Sequence, residues 1–498
     1  MAQREQWGTR LGFILAAVGS AIGLGNIWRF PYMAYENGGG AFLIPYFFAM
    51  LTAGIPIIIL EFSLGHKFRG AAPKTFSRIS KKMEWLGWWQ VLVSFIIAIY
   101  YVAVIGWAMD YFYLAFSQGW GTDTKGFFFG EFLGLTGGAM EWGSIQMHIF
   151  IPVVIAWALT WLVLSSGVRK GIELANKIFM PLLFILVLLI VGRAVTLPGA
   201  AEGLQWLFRP DFSKILDYQV WADAYGQIFF TLSVGFAIMI TYSSYLPSKS
   251  DINNNGFMTV FINCGFSILA GVMIFGVLGY MAVQEGVGIN EVAGAGVGLA
   301  FVTLPKAINL LPMPIFFGTL FFAALVFAGL SSFISINEAC CSALIDKFGW
   351  SRKFTVSLYT VVGFLASLIF VTGGGLYALD IVDHFINNFG IVFCVLVEVL
   401  FLGWFFKTET LRGHVNKISE FSVGYWWTLC LKIITPIVLG YMAIANFIGD
   451  INEPYGGYSI DALVYMGWFV VVGVFIVSFL LQMFKGQDAG IDKFVDNE

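Results

Sequence analysis

The chain has 498 residues, 59% of them hydrophobic and only 11% charged, with a mean hydropathy of +0.82 and a formal net charge of −3. A soluble domain carries about 25% charged residues, so this composition specifies an all-α integral membrane protein rather than a soluble enzyme or binding module. The near-neutral balance argues against a nucleic-acid or acidic partner.

Apolar runs long enough to cross a bilayer fall at 11–35, 41–65, 88–116, 149–166, 175–194, 218–246, 256–283, 314–345, 354–371, 376–406, 425–447 and 462–484, which predicts twelve transmembrane helices in one domain spanning 1–498. The first run is the most informative. Residues 16–30 interrupt an apolar helix with Gly19, Gly23, Gly25, Asn26 and Arg29. Lipid supplies no water to pair freed backbone groups, so a broken helix at that depth needs a protein-lined cavity or a bound solute. An arginine there costs at least a few kcal/mol unless it is paired. The run reads as this broken helix and not as a cleavable signal peptide.

Charge fixes the orientation. The 66–87 loop holds Lys67, Arg69, Lys74, Arg78, Lys81 and Lys82, and alternate loops add Arg169, Lys170, Lys177, Lys249, Lys347, Arg352, Lys353, Lys407, Arg412 and Lys417. The opposite loops carry only Lys125, Arg209, Lys214 and Lys306, with Arg193 at a helix end. The positive-inside rule puts both termini in the cytoplasm, with Arg4 and Arg10 at one end and Lys485 and Lys493 at the other. The outer loop near 117–148 has neither cysteine nor glycosylation sequon, and Cys264, Cys340, Cys341, Cys394 and Cys430 all lie in apolar segments. No disulfide framework is expected, which suits a prokaryotic inner membrane.

The sixth run repeats the device of the first. Gln227-Ile-Phe-Phe-Thr-Leu-Ser-Val-Gly-Phe236 puts Thr231, Ser233 and Gly235 in mid-helix. Interruptions at matching positions of two halves point to a binding site at an inverted-repeat interface. The halves are 1–200 and 201–406, five helices each, with 407–498 supplying two more.

These features resemble the neurotransmitter:sodium symporter family, sodium-coupled amino-acid and monoamine transporters of the bacterial leucine-transporter type. The matching text includes Arg4-Glu-Gln-Trp-Gly-Thr-Arg10, Gly23-Leu-Gly-Asn-Ile-Trp-Arg-Phe-Pro31, Glu36-Asn-Gly-Gly-Gly40, Ala98-Ile-Tyr-Tyr101, Gln227–Ser233, Asn263-Cys264, Phe327-Ala-Gly-Leu-Ser-Ser332 and Ser351-Arg-Lys353. It is dense over 4–353, thins to Asp380–Asp383, and shows no motif in the last two spans. A lone Gly19/Gly23 pair would signal only helix packing.

The resemblance implies two sodium sites. The first comprises Ala21 and Thr231 oxygens with the Asn26 and Asn263 side chains. The second comprises carbonyls of Gly19, Ile22 and Ala328 with hydroxyls of Ser331 and Ser332. Taken alone, those serines could back-bond to their own helix, and Asn26 could be a helix cap. For the solute, N–H groups near Leu24 and Gly25 and the Tyr101 hydroxyl would hold a carboxylate, and carbonyls of Ala21, Phe230, Thr231 and Ser233 the amine. Monoamine transporters of the family carry aspartate where Gly23 stands, so glycine points to an α-amino acid. Ile97, Phe230, Phe236, Ser332 and Ile336 leave an uncharged side-chain pocket, which favours a neutral hydrophobic substrate, though any one such residue alone is ordinary packing.

Ser267 stands one helical turn beyond Asn263. With Tyr46, Gln227 and Thr231 it suggests a chloride site, the alternative being a carboxylate from elsewhere, such as Asp223. Gating is expected from Arg29 with Asp383 outside, lidded by Tyr101 and Phe236, and Arg4 with Asp346 inside, near Tyr245. Glu338 there replaces the family's usual glutamine. Gly171 and Pro181 match a family pattern for unwinding the inner end of the fifth span. The implied activity is secondary active, sodium-coupled import of a neutral amino acid by alternating access. A sensor on the same fold, or a chloride-independent carrier of aromatic amino acids, is the competing reading. Expected partners are that amino acid and the lipid bilayer, with a homodimer left open. No enzyme is read, since the four histidines His66, His148, His384 and His414 sit singly in sequence.

Overall fold

The computed structural model describes residues 4–294 and 296–486, so Lys493 lies outside the described residues. Among them there is no β-strand, only isolated bridges between Gly39 and Pro210 and between Ile145 and Thr372. Helix follows from lipid, which leaves each backbone polar group to be satisfied within its own segment.

Two short helices open the chain, α1 (Arg10–Ala21) and α2 (Leu24–Glu36), bent by 54° at their junction. Ile22 is extended there (φ −77°, ψ 101°), and the Asn26 side-chain oxygen accepts the Gly23 N–H at 2.9 Å, so this polar residue caps the second half-helix. Next come α3 (Gly40–Phe68), α4 (Lys81–Leu114), α5 (Met147–Ser165) and α6 (Val168–Ala194). The second interrupted pair is α7 (Tyr218–Thr231) and α8 (Ile238–Ser244). Then follow α9 (Ile252–Glu285), α10 (Pro314–Phe348), α11 (Arg352–Val371), α12 (Gly375–Phe405), α13 (Tyr425–Gly457) and α14 (Ile460–Met483). Ten of the described helices are long and apolar enough to cross a membrane on their own, eleven counting the bent α1–α2 pair as one span. The α7–α8 pair falls outside that tally because six residues, 232–237, separate its halves.

That second gap is wound against preference. Ser233 (φ 51°), Gly235 (φ 78°) and Ala237 (φ 58°) all adopt left-handed backbone. Glycine tolerates this, whereas each of the other two costs about 1–2 kcal/mol. Such residues persist only where surroundings over-determine them. Here Ser94 Oγ donates to Phe236 O at 2.7 Å, and the Gly235 N–H donates to Glu61 Oε1 at 2.8 Å.

Burial sorts the helices. In α4 and α10 the most apolar stretch is 72% buried, against 33% in α13 and 28% in α14. The core is therefore built by α1, α3, α4, α8, α9 and α10, with α10 running along α4 and α8 pressed on α3. The last two helices leave their apolar side chains facing outward.

Candidate functional site

A cavity of about 720 Å³ opens between the two interrupted pairs, and every residue expected to hold the solute lines it: Ala21, Gly23, Leu24, Gly25, Ile97, Tyr101, Phe230, Thr231, Ser233, Phe236, Ser332 and Ile336. The Leu24 N–H points to Tyr101 Oη at 3.5 Å, a long contact. A Cβ on Gly23 would meet Ser332 Oγ and Tyr101 Oη, both at 3.3 Å, so a side chain there would project between two hydroxyls. Farther out the wall includes Arg29, Asp380, Asp383, His384, Tyr455 and Tyr458.

The first oxygen cluster joins the two breaks. Asn26 Nδ2 lies 2.7 Å from Thr231 Oγ1, 2.9 Å from Asn263 Oδ1 and 2.8 Å from Ser267 Oγ, all buried. An amide nitrogen carries two hydrogens, so three acceptors exceed what it can satisfy. Ala21 ends α1, and its carbonyl is among those that the break releases.

The second cluster lies where α10 crosses the end of α1. Ser331 Oγ donates to Gly19 O at 2.9 Å and Ala328 O at 3.0 Å. Ser332 Oγ sits 3.2 Å from Gly19 O and 3.3 Å from both Ser20 O and Ile22 O. Each hydroxyl has one hydrogen, so surplus oxygens converge here too. The own-helix bond of Ser331 exists, but the same hydroxyl reaches across to α1. Asn176 was not foreseen: its buried Oδ1 has no partner and would lie 2.4 Å from a Cβ on Gly19. Among the described residues no three His, Cys, Asp or Glu side chains gather as metal ligands, so cation binding would rest on carbonyl, hydroxyl and amide oxygens.

Beside the first cluster, Tyr46 Oη and both amide atoms of Gln227 are buried without partners. Orphaned donors are rare in native interiors and call for an acceptor. Ser267 Oγ donates to Asn263 O at 3.3 Å while receiving Asn26. Asp223 is not joined to this group. It accepts from Gln219 at 3.1 Å and borders a separate 130 Å³ cavity with Arg29.

The two expected gates differ. Inside, Arg4 Nη1 donates to both Asp346 oxygens at 2.9 Å, and its guanidinium lies 4.8 Å from the Tyr245 ring centre. Lys74 Nζ (3.3 Å) and the Ala71 N–H (2.8 Å) also reach Asp346. Glu338 turns to other partners, Tyr245 Oη at 2.7 Å and Arg352 Nη2 at 2.5 Å. Outside, Arg29 and Asp383 form no ion pair within 4 Å. Arg29 instead lies 4.5 Å over the Phe230 ring, while Asp383 accepts from Tyr100 at 2.6 Å and Asn387 at 2.8 Å. The Arg4–Asp346 pair is made and the Arg29–Asp383 pair is parted. Lys74 and Tyr100 went unnoticed beside these pairs because their partners lie 272 and 283 residues away, and Arg352 because its contact with Glu338 crosses from one helix to the next.

The Gly171 region is a π-helix over Val168–Glu173, whose hydrogen bonds span one residue more than those of an α-helix. Its Glu173 accepts from the Gly8 N–H at 2.6 Å and Thr9 Oγ1 at 2.8 Å, tying it to the start of α1.

The sodium:neurotransmitter symporter family profile matches residues 4–127 and 119–485. The chain belongs to that family. The family consists of sodium-coupled symporters, not enzymes, so this is a multi-pass, sodium-dependent membrane transporter that moves a substrate across a lipid bilayer. An uncharacterized sodium-dependent transporter of Methanocaldococcus jannaschii is 45% identical over 484 residues, 97% of this chain and 98% of the relative. A sodium- and chloride-dependent taurine transporter of Bos taurus is 30% identical over 482 residues, 88% of this chain and 77% of the relative.

Proposed function

We propose that the chain imports a neutral, hydrophobic α-amino acid together with two sodium ions and chloride, by alternating access. The observation that carries this reading is the pair of oxygen clusters set where two fractured helices face each other across one cavity. Dehydrated cations seek such neutral oxygens, and half-helix N-termini seek anionic substrate groups. The Ala21, Asn26, Thr231 and Asn263 cluster holds one sodium, and Gly19, Ile22, Ala328, Ser331 and Ser332 the other. The substrate carboxylate meets the N–H groups of Leu24 and Gly25 and Tyr101, with Ile97, Phe230, Phe236 and Ile336 around its side chain.

Chloride fits the orphaned Tyr46 hydroxyl and Gln227 amide beside Ser267 and Thr231. The taurine transporter's chloride dependence supports the same assignment. Two sodium ions, one chloride and a zwitterion carry one net positive charge inward, so the membrane potential adds about 2.3 kcal/mol per 100 mV.

In this reading the α7–α8 pair supplies the twelfth span, and both ends are cytoplasmic in a prokaryotic plasma membrane. Arg4 and Gly486 come to the same place, the Asp346–Lys347 end of α10. The test is uptake and counterflow of labelled neutral amino acids in proteoliposomes. Uptake should require sodium, failing in choline, and exchange should follow. Binding without exchange would indicate a sensor and overturn the proposal.

A further inference from the structure

Two carboxylates outside both ion clusters are fully buried, Glu61 on α3 and Glu398 on α12. Each has a single donor. The Gly235 N–H of the second break reaches Glu61 Oε1 at 2.8 Å, and Gln90 Nε2 on α4 reaches Glu398 Oε2 at 2.8 Å. Glu61 Oε2, Glu398 Oε1 and Gln90 Oε1 are left buried with no hydrogen-bond partner, three acceptors lacking a donor. Glu398 feels the charge of Glu61, and the Cys394 thiol, also buried, feels both. Among the described residues neither carboxylate has a salt bridge, and no basic side chain acts on either.

Two uncompensated negative charges at membrane depth are untenable: one buried ion without a counter-charge already costs several kcal/mol. Sodium is poorly placed to supply the compensation, since its oxygen clusters lie elsewhere. A proton on one carboxylate removes the like-charge repulsion and provides a donor for one of the orphaned acceptors.

We propose that Glu61 and Glu398 form a proton-binding site beside the second break, holding one proton between them, which exchanges when that break rearranges during turnover. Gly235 couples the site to the break, because Glu61 keeps its only donor while residues 232–237 hold their left-handed path. Gln90 tunes it from α4 by donating to Glu398. The exchange half of this inference rests on the transport reading above. The occupancy half does not.

Occupancy is tested on the full chain in nanodiscs without sodium or amino acid, by infrared spectroscopy at pH 8. A protonated-carboxyl C=O band that shifts in D₂O is expected, and it should vanish in the Glu61→Gln/Glu398→Gln double variant. Identical spectra would overturn the proposal. Gln90→Leu keeps both acids and serves should the double variant misfold. Loss of a hydrogen bond to a charged group should tighten proton retention about ten- to a hundredfold, raising the pH at which the band disappears by one to two units. An unchanged pH of loss would count against the site. Exchange is read with a pH dye in lightly buffered proteoliposomes. Adding sodium plus the transported amino acid should change the number of bound protons by about one per chain in wild type, taken from and returned to the same side so that the charge carried inward is unchanged, and by none in Glu398→Gln. Uptake with no proton movement would discard the exchange while leaving the transport reading intact.

Discussion

Asn26 Nδ2 and Thr231 Oγ1 stand 2.7 Å apart although 205 residues separate them, and through that contact the two broken helices touch. The same amide nitrogen serves Asn263 and Ser267, so four side chains from three helices share one centre.

Thr231→Val removes an oxygen from that centre while keeping its shape. Sodium affinity should fall about tenfold or more, the worth of a hydrogen bond to a charged group. Sodium titrations of amino-acid binding would show it, and an unchanged midpoint would remove Thr231 from the first site. Ser331→Ala should weaken sodium to a similar degree while leaving the Asn26 cluster intact.

Ser267→Glu places a fixed carboxylate beside the orphaned Tyr46 hydroxyl and Gln227 amide. Uptake should then proceed equally in chloride and gluconate, whereas wild type slows in gluconate. If wild-type rates are the same in both salts, the anion assignment fails.

Asp346→Asn weakens the contacts with Arg4 and Lys74 that tie the N-terminal segment to the end of α10. Charge-assisted bonds of this kind contribute about 1.5–3 kcal/mol each, so the N-terminal segment should open at least tenfold more often. Hydrogen exchange at the backbone of Gly8 and Gly12 would register the change.

His414, on the connecting helix Thr408–Ile418, meets His66 at 2.9 Å between ring nitrogens. Burial, with Lys67, Arg69 and Lys417 nearby, pulls its pKa down to about 4. A group whose folded pKa lies below its unfolded value near 6.5 binds more protons unfolded. Stability is therefore full above about pH 6.5 and is lost as pH falls toward 4. With solvent screening of a partly exposed site, the loss at pH 5 is on the order of 1 kcal/mol. Thermal unfolding at pH 7 and 5 should show this shift in wild type and a smaller one in His414→Phe, which leaves His66 in place.

Much of the architecture was legible because lipid imposes length and polarity rules that a single sequence displays. The glycine-rich interruption at residues 19–26 announced the first break, and Ser233 with Gly235 announced the second. The residues expected to hold the solute converge on one cavity because the two breaks face α4 and α10, which supply Ile97, Tyr101, Ser332 and Ile336. Side-chain partnerships between remote helices were less readable. Nothing in the local text around Glu338 signals Arg352, nor does Glu61 point to Glu398 and Gln90, since these meetings depend on how helices cross. Arg29 illustrates the same limit. Its burden at membrane depth was evident, but its rest over the Phe230 ring, apart from Asp383, depends on how the helices cross.

Within residues 232–237, Ser233 and Ala237 are the two non-glycine residues held in left-handed backbone. A hinge built from glycine alone would lie slack in either orientation. One wound partly from residues that resist the pose carries a restoring torque, so its rearrangement is downhill once Glu61 and Ser94 let go. Replacing both by glycine would relax that torque, giving a protein that melts later yet cycles more slowly, with the difference greatest in the cold.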